Sequence, residues 1–193
     1  MGEPSIYRRR NEATEKGYSA KLSKAILGKE QEIRLNKDES LYFYNSKGEL
    51  LASLQGKGTS VNAGKDFVAP TNAIMVHNHP SALDKTGIKR IGNSFSGIDM
   101  VSAVRYNARE MRAVTPTYTF SMKRPKGGWG ATPEEVRRVY QRYNEQVRYD
   151  FTRYVDRRGY SETAQRRAEV MHWHRVNQLV SEYFGWKYTK KNR

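Results

Sequence analysis

The sequence predicts an α/β, or α+β, fold: a mixed β-sheet flanked by helices and followed by a C-terminal helical hairpin. Two observations lead to this prediction. Short aromatic and aliphatic runs alternate with amphipathic helical patterns over the first 123 residues. The last third of the chain carries two long helical patterns that are separated by Gly159.

Length and composition limit the classes of protein that this chain can belong to. With 193 residues and 22.3 kDa it has room for one domain of ordinary size, or for a compact domain with an appendage. The absence of cysteine excludes disulfides, thiol nucleophiles, thiolate zinc sites and iron–sulfur clusters, so any metal must bind His or carboxylate. We expect neither a membrane span nor a conventional signal peptide, because no apolar run is long enough.

The chain is strongly basic. It has 35 Lys and Arg against 20 Asp and Glu, a net charge of +15, and the excess is spread along the chain. Two interpretations stay open: a solvated surface, or attraction to nucleic acid or another acidic surface. Tyrosines interleaved with arginines in the last third are typical of half-buried packing residues, with base stacking as the alternative.

The N-terminal part is predicted to consist of an arm, a helix and a hairpin. Residues 1–10 are expected to form a flexible basic arm, and a helix is predicted from a cap at Asn11 to Gly28. Two apolar runs around a turn at residues 45–48 predict a hairpin over 40–54.

A buried central strand is predicted next. The aliphatic run 73–76 is typical of such a strand, and Pro80 limits its extension, so His77 and His79 lie at its end. Residues 81–95 show no periodicity and are interpreted as a loop.

A helix then opens at Ser96 and reaches about Arg109, followed by a strand pair over 111–114 and 117–122. Thr132-Pro-Glu-Glu is a strong helix start, and the C-terminal helices end at Gly159 and Gly185. These elements divide the chain into the arm (1–10), a core (11–123), and a linker with the helical hairpin (124–193).

His77, His79 and Asp99 are the candidate metal ligands. Side chains alternate along a strand, so the two histidines point the same way and can meet one ion. Asp99, in the first turn of the helix that opens at Ser96, completes a His₂Asp set with one position left for water, as a catalytic zinc site requires. The alternatives are a chance His-x-His and a simple capping pair of Ser96 with Asp99.

The order of these motifs resembles the JAB/JAMM metalloprotease superfamily: His-x-His-Pro at a strand end, a loop, then Ser-x-x-Asp opening a helix. The segment 76–81 (VHNHPS) is most similar to the RadC-like branch, which also has Asn between the histidines. The resemblance covers roughly residues 12–123. It implies Zn²⁺ held by His77, His79 and Asp99, with Ser96 stabilising the oxyanion.

The resemblance also implies a glutamate general base on an earlier element. Glu39 comes immediately before the first hydrophobic strand and is the candidate, with Glu49 and Glu32 as alternatives. Glu39 would take a proton from a metal-activated water and pass it to the leaving amine. The implied activity is hydrolysis of an amide or isopeptide bond in a protein or peptide substrate.

Residues 95–99, 110–114 and 185–189 are similar to JAB-like domains attached to phage head-morphogenesis or minor head proteins. This implies a bacteriophage or prophage context, in the cytoplasm of a bacterial host or in the virion, with virion or nucleic-acid contacts through the basic surface. The rival hypothesis is a structural or DNA-associated phage or mobile-element protein whose metal site is vestigial. Metal-dependent nuclease activity is the weaker third possibility, because only one carboxylate is clearly placed.

Other motifs are interpreted as structural. A second Ser-x-x-Asp at residues 81–84 follows Pro80 too closely to bring its carboxylate back to the histidines. His172 and His174 lie on a predicted helix, where they diverge, and Trp129 and Trp186 are expected to dock the hairpin on the core. The Gly-Lys pairs lack the rest of a P-loop, so we expect no nucleotide site.

Overall fold

The computed structural model describes residues 17–80 and 93–193. It confirms the predicted fold class: a six-stranded mixed sheet with helices on both faces. The elements of the described chain, in order, are α1 (Ala20–Ile33), β1 (Ser40–Tyr44), β2 (Leu50–Gln55), β3 (Ile74–Asn78), α2 (Gly97–Arg105), β4 (Glu110–Val114), β5 (Tyr118–Lys123), α3 (Pro133–Arg157), α4 (Glu162–Phe184) and β6 (Lys187–Asn192).

The sheet has the strand order β2-β1-β3-β4-β5-β6. Among the described strands, only β3 and β4 form a parallel pair, which is consistent with the crossover through α2 that connects them. All five residues of β3 are buried, as the aliphatic run predicts for a central strand. The hairpin of β1 and β2 and the pair of β4 and β5 are confirmed as antiparallel neighbours.

Each face of the sheet packs against its own helices. On one face, Tyr42, Ile74 and Val76 pack against Leu22 and Ile26 of α1. On the other face, alternate residues of β1, β3, β4 and β5 form a larger core with helices α2, α3 and α4. The alternation of side chains along β3 therefore decides which of its residues meet α1 and which meet α2.

The first helix differs from its prediction. It begins after Ser19, whose hydroxyl accepts from Leu22 N, and it continues through Gly28 to Ile33. Gly28 lies on the exposed face of the helix and does not end it. The helix continues because Glu30 and Ile33, beyond Gly28, are buried and hold the last turn against the sheet. The predicted arm, residues 1–10, and the predicted cap at Asn11 lie outside the described residues, as do residues 81–92 of the predicted loop.

The end of α2 and the last strand of the sheet also differ from the prediction. Helix α2 ends at Arg105 and not near Arg109, because Asn107 adopts a left-handed φ of 48° and Ala108 N bonds back to Ala103 O. Strand β6 was not predicted. Its lysine-rich sequence shows no alternation of apolar and polar residues. It nevertheless pairs with β5 along its whole length and forms an edge of the sheet.

The C-terminal helical hairpin is confirmed. Thr132 and Glu135 form the predicted capping box at the start of α3, and Gly185 ends α4 in the left-handed conformation. Trp129 and Trp186 are buried in the larger core, where their rings meet edge to face at 4.8 Å. In the part of the chain that the structure describes, no helix is long and apolar enough to cross a membrane.

Candidate metal centre

The end of β3 brings the two histidine rings together. The register pairs His77 with Leu41 of β1, and alternation puts His77 on the same face as Met75, toward α2. His79, two residues later, shares that face, and the Nε2 atoms of the two rings lie 2.9 Å apart. His77 is buried and His79 is partly buried.

Helix α2 supplies the carboxylate. Ser96 is its N-cap, and Asp99 is the third helical residue, so the two form a capping box. Asp99 Oδ1 lies 3.6 Å from His77 Nε2, and Asp99 Oδ2 lies 3.4 Å from His79 Nε2. The structure thus brings together the three residues that the sequence singled out as metal ligands.

The spacing of these donor atoms fits one metal ion. Within the described chain, His77, His79 and Asp99 form the group whose ligand atoms all lie within 4.8 Å of one another. Metal–ligand distances of about 2.0–2.1 Å in a tetrahedron correspond to ligand–ligand distances of roughly 3.3–3.4 Å, close to those found. The group can therefore bind a metal ion through two imidazole nitrogens and one carboxylate.

A backbone carbonyl orients His79. The Asn93 carbonyl oxygen lies 2.7 Å from His79 Nδ1, and because a carbonyl only accepts, Nδ1 must be the donor. In the neutral ring the lone pair is then on Nε2, which faces His77 and Asp99. Such a partner on the far nitrogen is typical of histidines that bind metals.

The electrostatics of the group suit a cation. Burial lowers the pKa of His77 to about 4, so its ring is neutral at neutral pH. Burial opposes the ionisation of Asp99, but the two imidazoles outweigh it and hold the pKa of that carboxyl well below its usual range. Burial alone would lower the pKa of His79, but Asp99 outweighs it and raises that pKa, so a proton and a metal ion compete for His79.

Glu39 lies beside this group. Glu39 comes just before β1 and His79 just after β3, at the same end of this antiparallel pair, and the Glu39 carboxyl interacts electrostatically with both Asp99 and His79. The side chain is half-buried, and burial together with the charge of Asp99 raises its pKa to about 7, with His79 acting in the opposite direction. A carboxylate with this pKa exchanges a proton readily at neutral pH.

The alternative glutamates lie elsewhere. Glu49 is exposed in the turn between β1 and β2, where it accepts a hydrogen bond from Asn45, and Glu32 is exposed on α1, where it pairs with Lys29. His172 and His174 diverge, as expected on a helix: the first contacts Asn144 and the second contacts the Tyr188 hydroxyl. The second Ser-x-x-Asp, residues 81–84, lies outside the described residues.

Sequence reasoning missed two residues that organise the site. Asn78, between the histidines, is fully buried and bonds to the chain on both sides of Glu39. An amide at the end of a strand predicted to be buried was the available signal, because a buried amide needs hydrogen-bond partners. Asn93 contributes a backbone carbonyl, which any residue possesses, so its identity carries no signal.

Comparison with known proteins finds no similarity that extends these observations: no protein-family model, no curated protein and no solved structure matches the chain.

Proposed function

We propose that this protein is a zinc-dependent peptidase or isopeptidase. The observation that carries the proposal is the convergence of two imidazole nitrogens and a carboxylate, with separations of 2.9, 3.4 and 3.6 Å, next to a half-buried glutamate. His77, His79 and Asp99 would hold the ion, and Glu39 would be the general base.

The donor set favours zinc. Zn²⁺ is bound in proteins by His nitrogen and carboxylate oxygen, and catalytic sites with three protein ligands keep a fourth position for water or substrate. When bound, the ion supplies Lewis acidity, which makes water a nucleophile near neutral pH. The neutral His77 ring and the ionised Asp99 carboxylate already have the protonation states that metal ligands need.

The protein's own groups move the proton. The Glu39 carboxylate accepts a proton from the attacking water and later delivers it to the amine nitrogen as the amide C–N bond breaks. The hydroxyl of Ser96 donates to Asp99 Oδ2 at 2.8 Å. Donation from Ser96 to the oxyanion of the substrate, which the family resemblance implies, requires that this hydrogen bond be exchanged.

The test separates metal binding from turnover. Zinc-loaded protein is assayed against peptide and isopeptide substrates, and Glu39→Gln is compared with Glu49→Gln, the same change in a residue away from the site. We expect Glu39→Gln to lower kcat by about 10²–10⁴-fold and to leave zinc affinity unchanged, because a general base contributes roughly this much. Equal activity in the two variants would contradict the proposal.

The net charge of +15 supports one rival function, a structural or DNA-associated protein with a metal site that does not turn over substrate. Its signature is zinc binding without hydrolysis of any peptide, together with salt-dependent DNA binding that His77→Ala leaves unchanged.

A further inference from the structure

Asn78 lies between the two histidines, so the alternation of side chains along β3 directs it to the opposite face from theirs. It is completely buried, and its Oδ1 accepts hydrogen bonds from both the N–H and the hydroxyl of Ser40, each at 2.9 Å. Its Nδ2 donates to the carbonyl oxygen of Asp38 at 3.1 Å. The residue between Asp38 and Ser40 is Glu39, so one side chain holds the chain on both sides of the glutamate.

The contact between Asn78 and Ser40 occurs where the backbone pairing of β1 with β3 stops. The paired register of β1 and β3 ends at Leu41 and His77, one residue short of Ser40. Beyond that point the Asn78 side chain provides hydrogen bonds to the backbone that continued pairing would otherwise supply. The position of Glu39 relative to His77 and His79 therefore depends on a side chain of the histidine strand itself.

The other side of Glu39 is held by the chain that follows β2. Glu39 N donates to Gly58 O, and Gly56 N donates to Glu39 O, both at 2.8 Å. A Cβ on Gly56 would lie 2.1 Å from Ser60 O and 2.9 Å from Glu39 O, so only glycine permits this close approach. With Asn78 on the opposite side, the backbone of Glu39 is held from two directions.

We infer that Asn78 is a positioning residue for Glu39: it sets the location of the general-base carboxylate relative to the metal ligands without touching metal or substrate. The inference rests on the proposed function. A buried amide is costly unless it is fully hydrogen-bonded, and Asp38 and Ser40 supply the partners of the Asn78 amide. The amide is the group that can bond to both Asp38 and Ser40.

The experiment compares Asn78→Ala with a matched control, Asn45→Ala. Asn45 is at the other end of β1, where its Oδ1 accepts from Lys47 N at 2.9 Å and from Glu49 N at 3.0 Å, far from the metal ligands. Zinc affinity, melting temperature, kcat and KM are measured for each variant. We expect Asn78→Ala to lower kcat by roughly 10–100-fold with KM and zinc affinity within threefold of the wild type. Asn45→Ala is expected to lower the melting temperature and to keep kcat.

A double-mutant cycle tests the route of the effect. In the Glu39→Gln background, Asn78→Ala should cause no further loss of the residual activity, because the residue through which it acts is already disabled. If Asn78→Ala does not fold, Ser40→Ala removes one of the three hydrogen bonds and is expected to lower kcat by about 2–5-fold, with zinc affinity retained.

Unchanged kcat in both Asn78→Ala and Ser40→Ala, with an active wild type, overturns this inference and leaves the proposed function standing. Two other results also overturn this inference and leave the proposed function standing: a loss in kcat that parallels a loss of zinc affinity, and a loss in kcat that persists in full in the Glu39→Gln background. In either case Asn78 acts through the histidines. A zinc-loaded wild type without hydrolysis overturns the proposed function and this inference together.

Discussion

Asp99 Oδ2 accepts hydrogen bonds from both the N–H and the hydroxyl of Ser96, at 2.7 and 2.8 Å, while the same carboxylate faces both histidines. The N-cap of α2 is therefore also the group that orients a candidate metal ligand. The stability of α2 and the orientation of the Asp99 carboxylate are therefore coupled at this one residue.

Ser96→Ala should weaken both properties, whereas Ser161→Ala should weaken only stability. Ser161 caps α4 in the same way, accepting from Ala164 N, but lies far along the chain from the candidate ligands. We expect either variant to lose about 1 kcal/mol of unfolding free energy in chemical denaturation. Only Ser96→Ala should lower zinc affinity, by about 10–100-fold, as loss of a residue that orients a ligand does. Equal zinc affinity in the two variants would show that the cap does not orient Asp99.

Removing a candidate ligand should abolish high-affinity zinc binding. We expect His77→Ala and Asp99→Asn each to weaken zinc binding more than 100-fold in titration calorimetry, a larger loss than the 10–100-fold typical of residues that only orient a ligand. His174→Ala is the control, because His174 belongs to the other His-x-His and contacts Tyr188. Zinc affinity that falls as much in His174→Ala as in His77→Ala would count against the assignment.

The raised pKa of Glu39 should make the metal-free protein less stable at high pH. Because the pKa in the folded state is about 7 and the ordinary value is 4.5, the folded state binds more protons between these limits. The contribution of Glu39 to stability therefore decreases as the pH rises through this window. In the presence of a chelator, Glu39→Gln should melt a few degrees above the wild type near pH 8 and show no gain near pH 4. A gain that is the same at both pH values would contradict the shift.

The buried guanidinium of Arg112 should be essential for stability. It bonds to Glu30 at 2.6 Å and to Glu110 at 2.9 Å, and all three side chains are at most 2% exposed. Arg112→Met leaves buried carboxylates without this partner and should lower the unfolding free energy by about 3–5 kcal/mol. Lys29→Met, which removes a surface ion pair with Glu32, should cost less than about 1 kcal/mol. Similar losses in denaturant titrations of the two variants would refute this view of Arg112.

Local patterns made much of the fold and the grouping of the candidate site predictable. Alternation along a strand is enough to put His77 and His79 on one face, and Ser96 with Asp99 is a recognisable start of a helix. Whether the carboxylate reaches the histidines depends on the parallel pairing of β3 with β4 and on the α2 crossover, which the structure supplies.

The features that could not be predicted depend on tertiary contacts. Gly28 favours the end of a helix locally, but burial of Glu30 and Ile33 extends α1 beyond it. Strand β6 is rich in lysine and becomes a strand because β5 offers it an edge. The contacts of Asn78 with Asp38 and Ser40 join residues about 40 positions apart, so no local pattern reveals them.

A crystal structure of the zinc-loaded protein, with the ion located by its anomalous scattering, is the decisive test of the candidate metal centre. We expect one zinc ion at about 2.0–2.2 Å from His77 Nε2, His79 Nε2 and an Asp99 carboxylate oxygen, with the Glu39 carboxylate beside its open position. A zinc ion bound elsewhere, or no bound ion at saturating zinc, would contradict it.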